Sequence, residues 1–68
     1  MKELDLHSIR HKDVPQLVER FIHENSDDLP LCIITGNSQK MHEIVTKSAE
    51  EMGYHILDTG KFTEMVIY

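Results

Sequence analysis

Leu29-Pro30-Leu31-Cys32-Ile33-Ile34-Thr35 is a continuous apolar run that stops at Gly36. A strand reads this way when both of its pleat faces are covered, as in the middle of a parallel sheet. Pro30 is tolerated because it falls at the strand's start. The stretch is far shorter than the ~20 apolar residues of a membrane span. A central strand needs strands beside it and helices to cover it, and the flanking sequence supplies both.

Upstream, residues 3–7 (Glu-Leu-Asp-Leu-His) alternate, which predicts a strand with Leu4 and Leu6 on one face and Asp5 and His7 on the other. Val14, Leu17, Val18, Phe21 and Ile22 then form a helical stripe, expected from about Asp13 to Asn25. Asp13 is the expected N-cap, and Pro15 falls in the first turn, where its missing N–H costs little. Downstream, Gly36-Asn37-Ser38 breaks the strand and caps a second helix, expected to run to about Met52. Its inner face is read as Met41, Ile44, Val45, Ser48, Ala49 and Met52, and Gly53 terminates it. Residues 54–57 read as a third strand, 58–61 as a turn, and 63–68 as a fourth strand.

The expected architecture is a single α/β domain over residues 1–68, with element order β-α-β-α-β-β. Helical crossovers keep the first three strands parallel, and the closing hairpin makes the fourth antiparallel. Two crossovers moving the same way across the sheet put both helices on one face. This is an α+β two-layer sandwich on a mixed four-stranded sheet, with one sheet face partly open. Leu4, Leu6, Phe21, Ile33 and Ile44 are the expected core.

At 68 residues little chain is left for a deep pocket, so a shallow edge site suited to a polymer is expected. The N-terminus Met1-Lys2-Glu3-Leu4-Asp5 lacks the apolar segment of a secretory signal, and Met1 is read as a natural start. A single cysteine excludes a disulfide framework and places the chain in a reducing cytoplasm, with Cys32 a small buried hydrophobe. No membrane role is expected, and the chain is read as a monomer or weak oligomer. The formal net charge of −5 opposes nucleic-acid binding, which phosphate neutralisation usually drives. Any such role needs a local basic patch.

Leu4-Asp5-Leu6-His7 resembles the LDLH signature that opens Smr (small MutS-related) domains. Val14-Pro15-Gln16-Leu17-Val18 continues the likeness, with Ser8 where the family usually has Gly. Ile33-Ile34-Thr35-Gly36-Asn37-Ser38 stands at the family's second motif, a Thr- or His-Gly-basic-Gly turn. Thr35 and Gly36 match it; Asn37 replaces the basic residue and Ser38 the second Gly. The segment Gly60–Ile67 is similar to the family's closing hairpin strand. The resemblance implies a fold like the C-terminal domain of bacterial translation initiation factor three. It also implies nucleic-acid binding, with RNA-cleaving or DNA-nicking endonuclease activity in several members.

Topology places the two motifs together. In a parallel sheet the C-terminal ends of the first two strands share an edge, a common ligand site in open α/β sheets. His7 ends one strand; Thr35-Gly36 ends the other, just before a helix N-terminus that favours anions. A phosphate held by Thr35, Gly36, Asn37 and Ser38 would lie near His7. Arg10, Lys12, Lys40 and Lys61 are expected at this edge, with His7, His11 and His42. Glu24, Asp27, Asp28, Glu50 and Glu51 gather at the opposite one. The bland alternative is that both helices simply have solvated ends.

His7 is the expected proton-transfer residue and Asp5 the group that orients it. The alternatives are a strand-end histidine bonded to loop backbone and an exposed strand carboxylate. Asp5 with His7 makes a thin site for hydrated Mg²⁺, so metal-free chemistry is preferred and no cofactor is expected. The five histidines share no face, and no Cys pair joins them, so no zinc site is expected. The Gly36 turn is not a P-loop. Phe62 is expected to fold into the core as a hairpin residue; the other reading stacks it on an unpaired base. The functional expectation is a domain that binds single-stranded or distorted RNA or DNA and has endonuclease capacity. The alternative is a non-catalytic module that docks on nucleic acid or a protein within a larger assembly.

Overall fold

The computed structural model describes residues 1–57 and 59–68. The strands are β1 (Glu3–Asp5), β2 (Leu31–Ile34), β3 (Ile56–Leu57) and β4 (Glu64–Ile67). The helices are α1 (Val14–Glu24) and α2 (Gln39–Glu51), with short 3₁₀ turns at His11–Asp13 and Ser26–Asp28. The sheet order is β1-β2-β4-β3. β1 and β2 are parallel, and β4 runs antiparallel to both β2 and β3. β3 therefore shares the direction of β2, and β4 returns into the gap between them. This is the expected two-layer α+β arrangement on a mixed four-stranded sheet.

Register explains where the core sits. Leu4 pairs with Ile33, which pairs with Met65; Leu31 pairs with Ile67, which pairs with Ile56. All six belong to or pack against one cluster with Val14, Val18 and Ile22 of α1 and Met41, Val45 and Ala49 of α2. Both helices thus cover the same sheet face. The alternate positions, among them Asp5, Ile34, Glu64 and Leu57, lie on the other face.

The expected core needs correction at three positions. Leu6 and Ile33 are fully buried, but Leu4, Phe21 and Ile44 are only partly covered and pack against the cluster from its margin. In α1 the fully buried line is Val14, Val18 and Ile22, one residue per turn. Leu17 and Phe21 form the flanking line, where the neighbours cover only part of each side chain. Phe21→Ala therefore removes less buried surface than a fully enclosed ring would.

Element ends differ from their expected places for local reasons. β1 pairing stops at Asp5, although the Leu6 N–H still reaches the Ile34 carbonyl at 2.8 Å. Asp13 precedes α1, but its side chain accepts no capping bond. The 3₁₀ turn through His11–Asp13 has already wound the backbone into helical geometry (φ −94°, ψ −10°), which a side-chain N-cap does not use. At the other end the Asn25 side-chain amide donates to the Phe21 carbonyl at 2.8 Å. β3 and β4 are shorter than expected. Asp58, part of the expected 58–61 turn, lies outside the described residues.

Ser38 caps α2 as expected. Its Oγ accepts the Met41 N–H at 3.1 Å, satisfying one of the first-turn donors that have no intrahelical partner. Ser38→Ala is expected to lower unfolding free energy by about 1 kcal/mol in a denaturant titration. Ser38→Asp should restore most of it.

Candidate functional site

Strand direction gathers the site. β1 and β2 end at the same sheet edge, and antiparallel β4 begins there. His7, the Thr35–Ser38 turn and the Lys61–Thr63 segment therefore lie along one edge. Gly36 takes φ +70°, and a Cβ placed on it would come within 3.4 Å of the His7 Cβ. The two short motifs are thus in van der Waals reach. A side chain at residue 36 would be strained by the backbone and would touch His7.

Asp5 and His7 form a pair. His7 Nδ1 lies 2.5 Å from Asp5 Oδ1, and the His7 backbone N–H donates to the same oxygen at 3.0 Å. Both side chains are more than half exposed. With Nδ1 turned to the carboxylate, Nε2 is the ring nitrogen left for an outside partner. The hydrogen bonds from the His7 ring and backbone hold the Asp5 carboxyl below its ordinary range, against a smaller opposing effect of burial. A depressed carboxylate contributes stability that is complete above its unfolded value and is lost as pH falls through the folded one. The Asp5 Cγ resonance should accordingly titrate below that of a free aspartate, and His7→Ala should return it toward the free value.

The structure corrects two of the expected phosphate contacts. The Gly36 N–H donates to the Thr63 carbonyl at 3.1 Å, beside the Thr35 N–H on the same oxygen at 2.9 Å. The Gly36 amide is committed to joining β2 to the start of β4 and is not offered to a ligand. Thr35 is 2 % exposed, and its Oγ1 sits 2.8 Å from His42 Nε2 and 3.2 Å from the Gly36 carbonyl. Its hydroxyl is internal. Asn37 and Lys40 remain exposed, and Ser38 is half-buried with its hydroxyl engaged in the cap. The Gln39 and Lys40 N–H groups, at the first two helical positions, have no intrahelical acceptor.

His42 has a role that sequence reasoning missed. Its Nε2 contacts both Thr35 Oγ1 and the Phe62 carbonyl, and its ring stacks on Phe62 with centroids 4.5 Å apart and planes at 13°. The Phe62 carbonyl can only accept, so Nε2 carries the proton. The signal available was position. His42 is the fourth residue of α2, and side chains there lean back toward the helix start. Its partner, twenty residues further on, carried no such signal. Phe62 also overturns an expectation: it is 48 % exposed rather than folded into the core.

Arg10, Lys12, Lys40 and Lys61 are all exposed. Lys61 Nζ lies 3.9 Å from Glu64. Among the described residues Arg10, Lys12 and Lys40 take part in no ion pair. By contrast, Lys2 meets Asp28 at 3.5 Å and Arg20 meets Glu24 at 3.2 Å. At the site edge Lys61 is paired with Glu64, whereas the cations near the β1–α1 loop and the α2 start have no acidic partner among the described residues.

Cys32 is buried, and burial pushes its thiol up, with the Glu64 and Glu3 carboxylates adding to the effect. Both effects favour the neutral thiol over the thiolate, which is the nucleophilic form. No three His, Cys, Asp or Glu side chains converge on a common point among the described residues. No helix there is long and apolar enough to cross a membrane.

The fold and edge define a small two-layer α+β domain whose exposed Asp–His pair sits beside the Gly36 turn. No family model, curated protein or solved structure matches the chain.

Proposed function

We propose that this chain is a nucleic-acid-binding domain of the Smr type that cleaves single-stranded or distorted RNA at the edge where β1 and β2 end. The observation that carries the reading is the Asp5–His7 pair, 2.5 Å apart and set against the Gly36 turn. An imidazole held at Nδ1 and open at Nε2 can take up and release a proton at Nε2. The LDLH stretch that supplies both residues supports the same reading, as do the cations free of acidic partners at this end of the molecule.

In this reading His7 Nε2 takes the proton of a ribose 2′-OH. The 2′-oxygen attacks the adjacent phosphorus, the P–O5′ bond breaks, and the leaving oxygen takes a proton from solvent. The products are a 2′,3′-cyclic phosphate and a 5′-hydroxyl end. Asp5 keeps the ring oriented and supports the imidazolium that forms. Lys40, Arg10, Lys12 and Lys61 attract the strand, and the α2 start with Asn37 and Ser38 supplies donors for the phosphate oxygens. A shallow edge fits an unpaired strand better than a duplex groove.

The deciding experiment is cleavage of a labelled single-stranded RNA, with a matched strand carrying one 2′-deoxy residue at the scissile position. Cleavage should persist in EDTA and stop at the deoxy substitution. A deoxy strand cut as fast as the ribose strand removes the 2′-OH mechanism. Full inhibition by EDTA replaces proton-transfer chemistry with metal chemistry.

Binding without cleavage is the second reading. Asn37 in place of a basic residue and the engaged Gly36 amide favour it. It takes first place if the strand is bound but stays intact under every metal condition.

A further inference from the structure

We infer that the exposed side of Phe62, backed by His42, is a stacking seat for one unpaired base of the strand. This rests on the nucleic-acid reading above and adds a subsite to it. One side of the Phe62 ring is taken by the His42 ring at 4.5 Å and 13°. Nearly half of the residue remains open to solvent. An exposed phenylalanine on a loop ordinarily loses freedom when it binds. Here the ring is already held, because His42 is bonded to Thr35 Oγ1 and to the carbonyl of Phe62 itself. The ordering cost is met before any ligand arrives.

The surroundings point to a nucleotide. Phe62 and His42 border a shallow groove of about 350 Å³ whose other walls include Leu57, Lys61 and Glu64, the last two 3.9 Å apart as an ion pair. The flat ring offers a base its π-face, and the exposed Lys61 ammonium, only loosely paired with Glu64 at 3.9 Å, can turn to the adjoining phosphate. A base inside a duplex presents no free face, so the seat selects single strands. Location ties it to the cleavage edge. β4 lies two strands from β1, roughly 10 Å in the hydrogen-bonding direction. The seated base therefore belongs to a nucleotide near the phosphate at His7 and not to the scissile one.

The test is fluorescence anisotropy with a short labelled single-stranded RNA and its blunt duplex, using wild type, Phe62→Ala and Phe62→Trp. Phe62→Ala should weaken single-strand binding about 5- to 150-fold, the loss of one base–aromatic stack. It should leave the salt slope unchanged, because no ion contact is removed. Duplex binding should be unaffected. Phe62→Trp should bind as wild type does. The chain has no other tryptophan, so its fluorescence reports on the seat directly and should be quenched on binding. If Phe62→Ala proves unfolded, the tryptophan signal decides alone. Wild-type binding that is indifferent to Phe62→Ala, or a tryptophan unchanged in the bound state, overturns the seat and leaves the nucleic-acid reading intact. Failure of wild type to bind any single strand overturns both.

Discussion

His7→Ala is expected to reduce RNA cleavage about 10²–10⁴-fold, the usual loss when a general acid or base is removed. The fold should survive, because His7 is 65 % exposed and its side chain bonds to Asp5, itself exposed. Strand affinity should change little, since the lysines and Arg10 are untouched. Asp5→Asn separates orientation from chemistry. It keeps an oxygen that can face Nδ1 but loses the charge that supports the imidazolium, so its effect should be smaller than that of His7→Ala. It should also move the pH–rate profile, which a purely structural residue would not do. The measurement is single-turnover cleavage across pH with circular dichroism as the fold control. Equal rates for wild type and His7→Ala would refute the mechanism.

Ile33→Ala should remove most of the stability of the domain. Ile33 is fully buried on the second strand, between Leu4 of β1 and Met65 of β4 and beneath both helices. Truncating such a residue costs about 2–5 kcal/mol, the transfer loss plus the cavity left behind. A domain of this size has little in reserve, since small domains sit near the low end of a 5–15 kcal/mol range. Each kcal/mol lowers the melting temperature by roughly 4–8 °C at this length. Ile33→Val should cost only about 0.5–1.5 kcal/mol. Thermal melts of the two variants show how the cost grows with the volume removed, and a melting temperature for Ile33→Ala within a few degrees of wild type would contradict a core centred on this strand.

Much of this fold was legible because its signals are periodic. The apolar run 31–34, the α1 stripe and the Ser38 cap each follow from spacing within a few residues. So did the meeting of His7 with the Gly36 turn, because neighbouring parallel strands run to the same sheet edge. What was not legible depends on pairing at a distance. The closing hairpin made β4 antiparallel, but its insertion between β2 and β3 rests on partners such as Cys32 with Val66. That same insertion engages the Gly36 amide with Thr63 and seals the Thr35 hydroxyl beneath His42. Both residues looked ligand-facing in sequence because their later neighbours had no local trace. Phe62 was misread for the same reason. Its apolar character suggested the core, while its actual partner is a histidine brought to it by α2.

The strand order also constrains how the chain can acquire its structure during synthesis. The segment that occupies the middle of the sheet is made after all the others. Until Glu64–Ile67 emerge from the ribosome, β2 has no partner on one side and β3 has none at all. The nascent chain then carries both helical segments but no complete sheet for them to pack on, and its strand edges are open. Insertion of one four-residue strand closes both gaps together. Acquisition of structure should therefore be a single late event, and a nascent chain stalled before that strand should be digested as readily as an unfolded one.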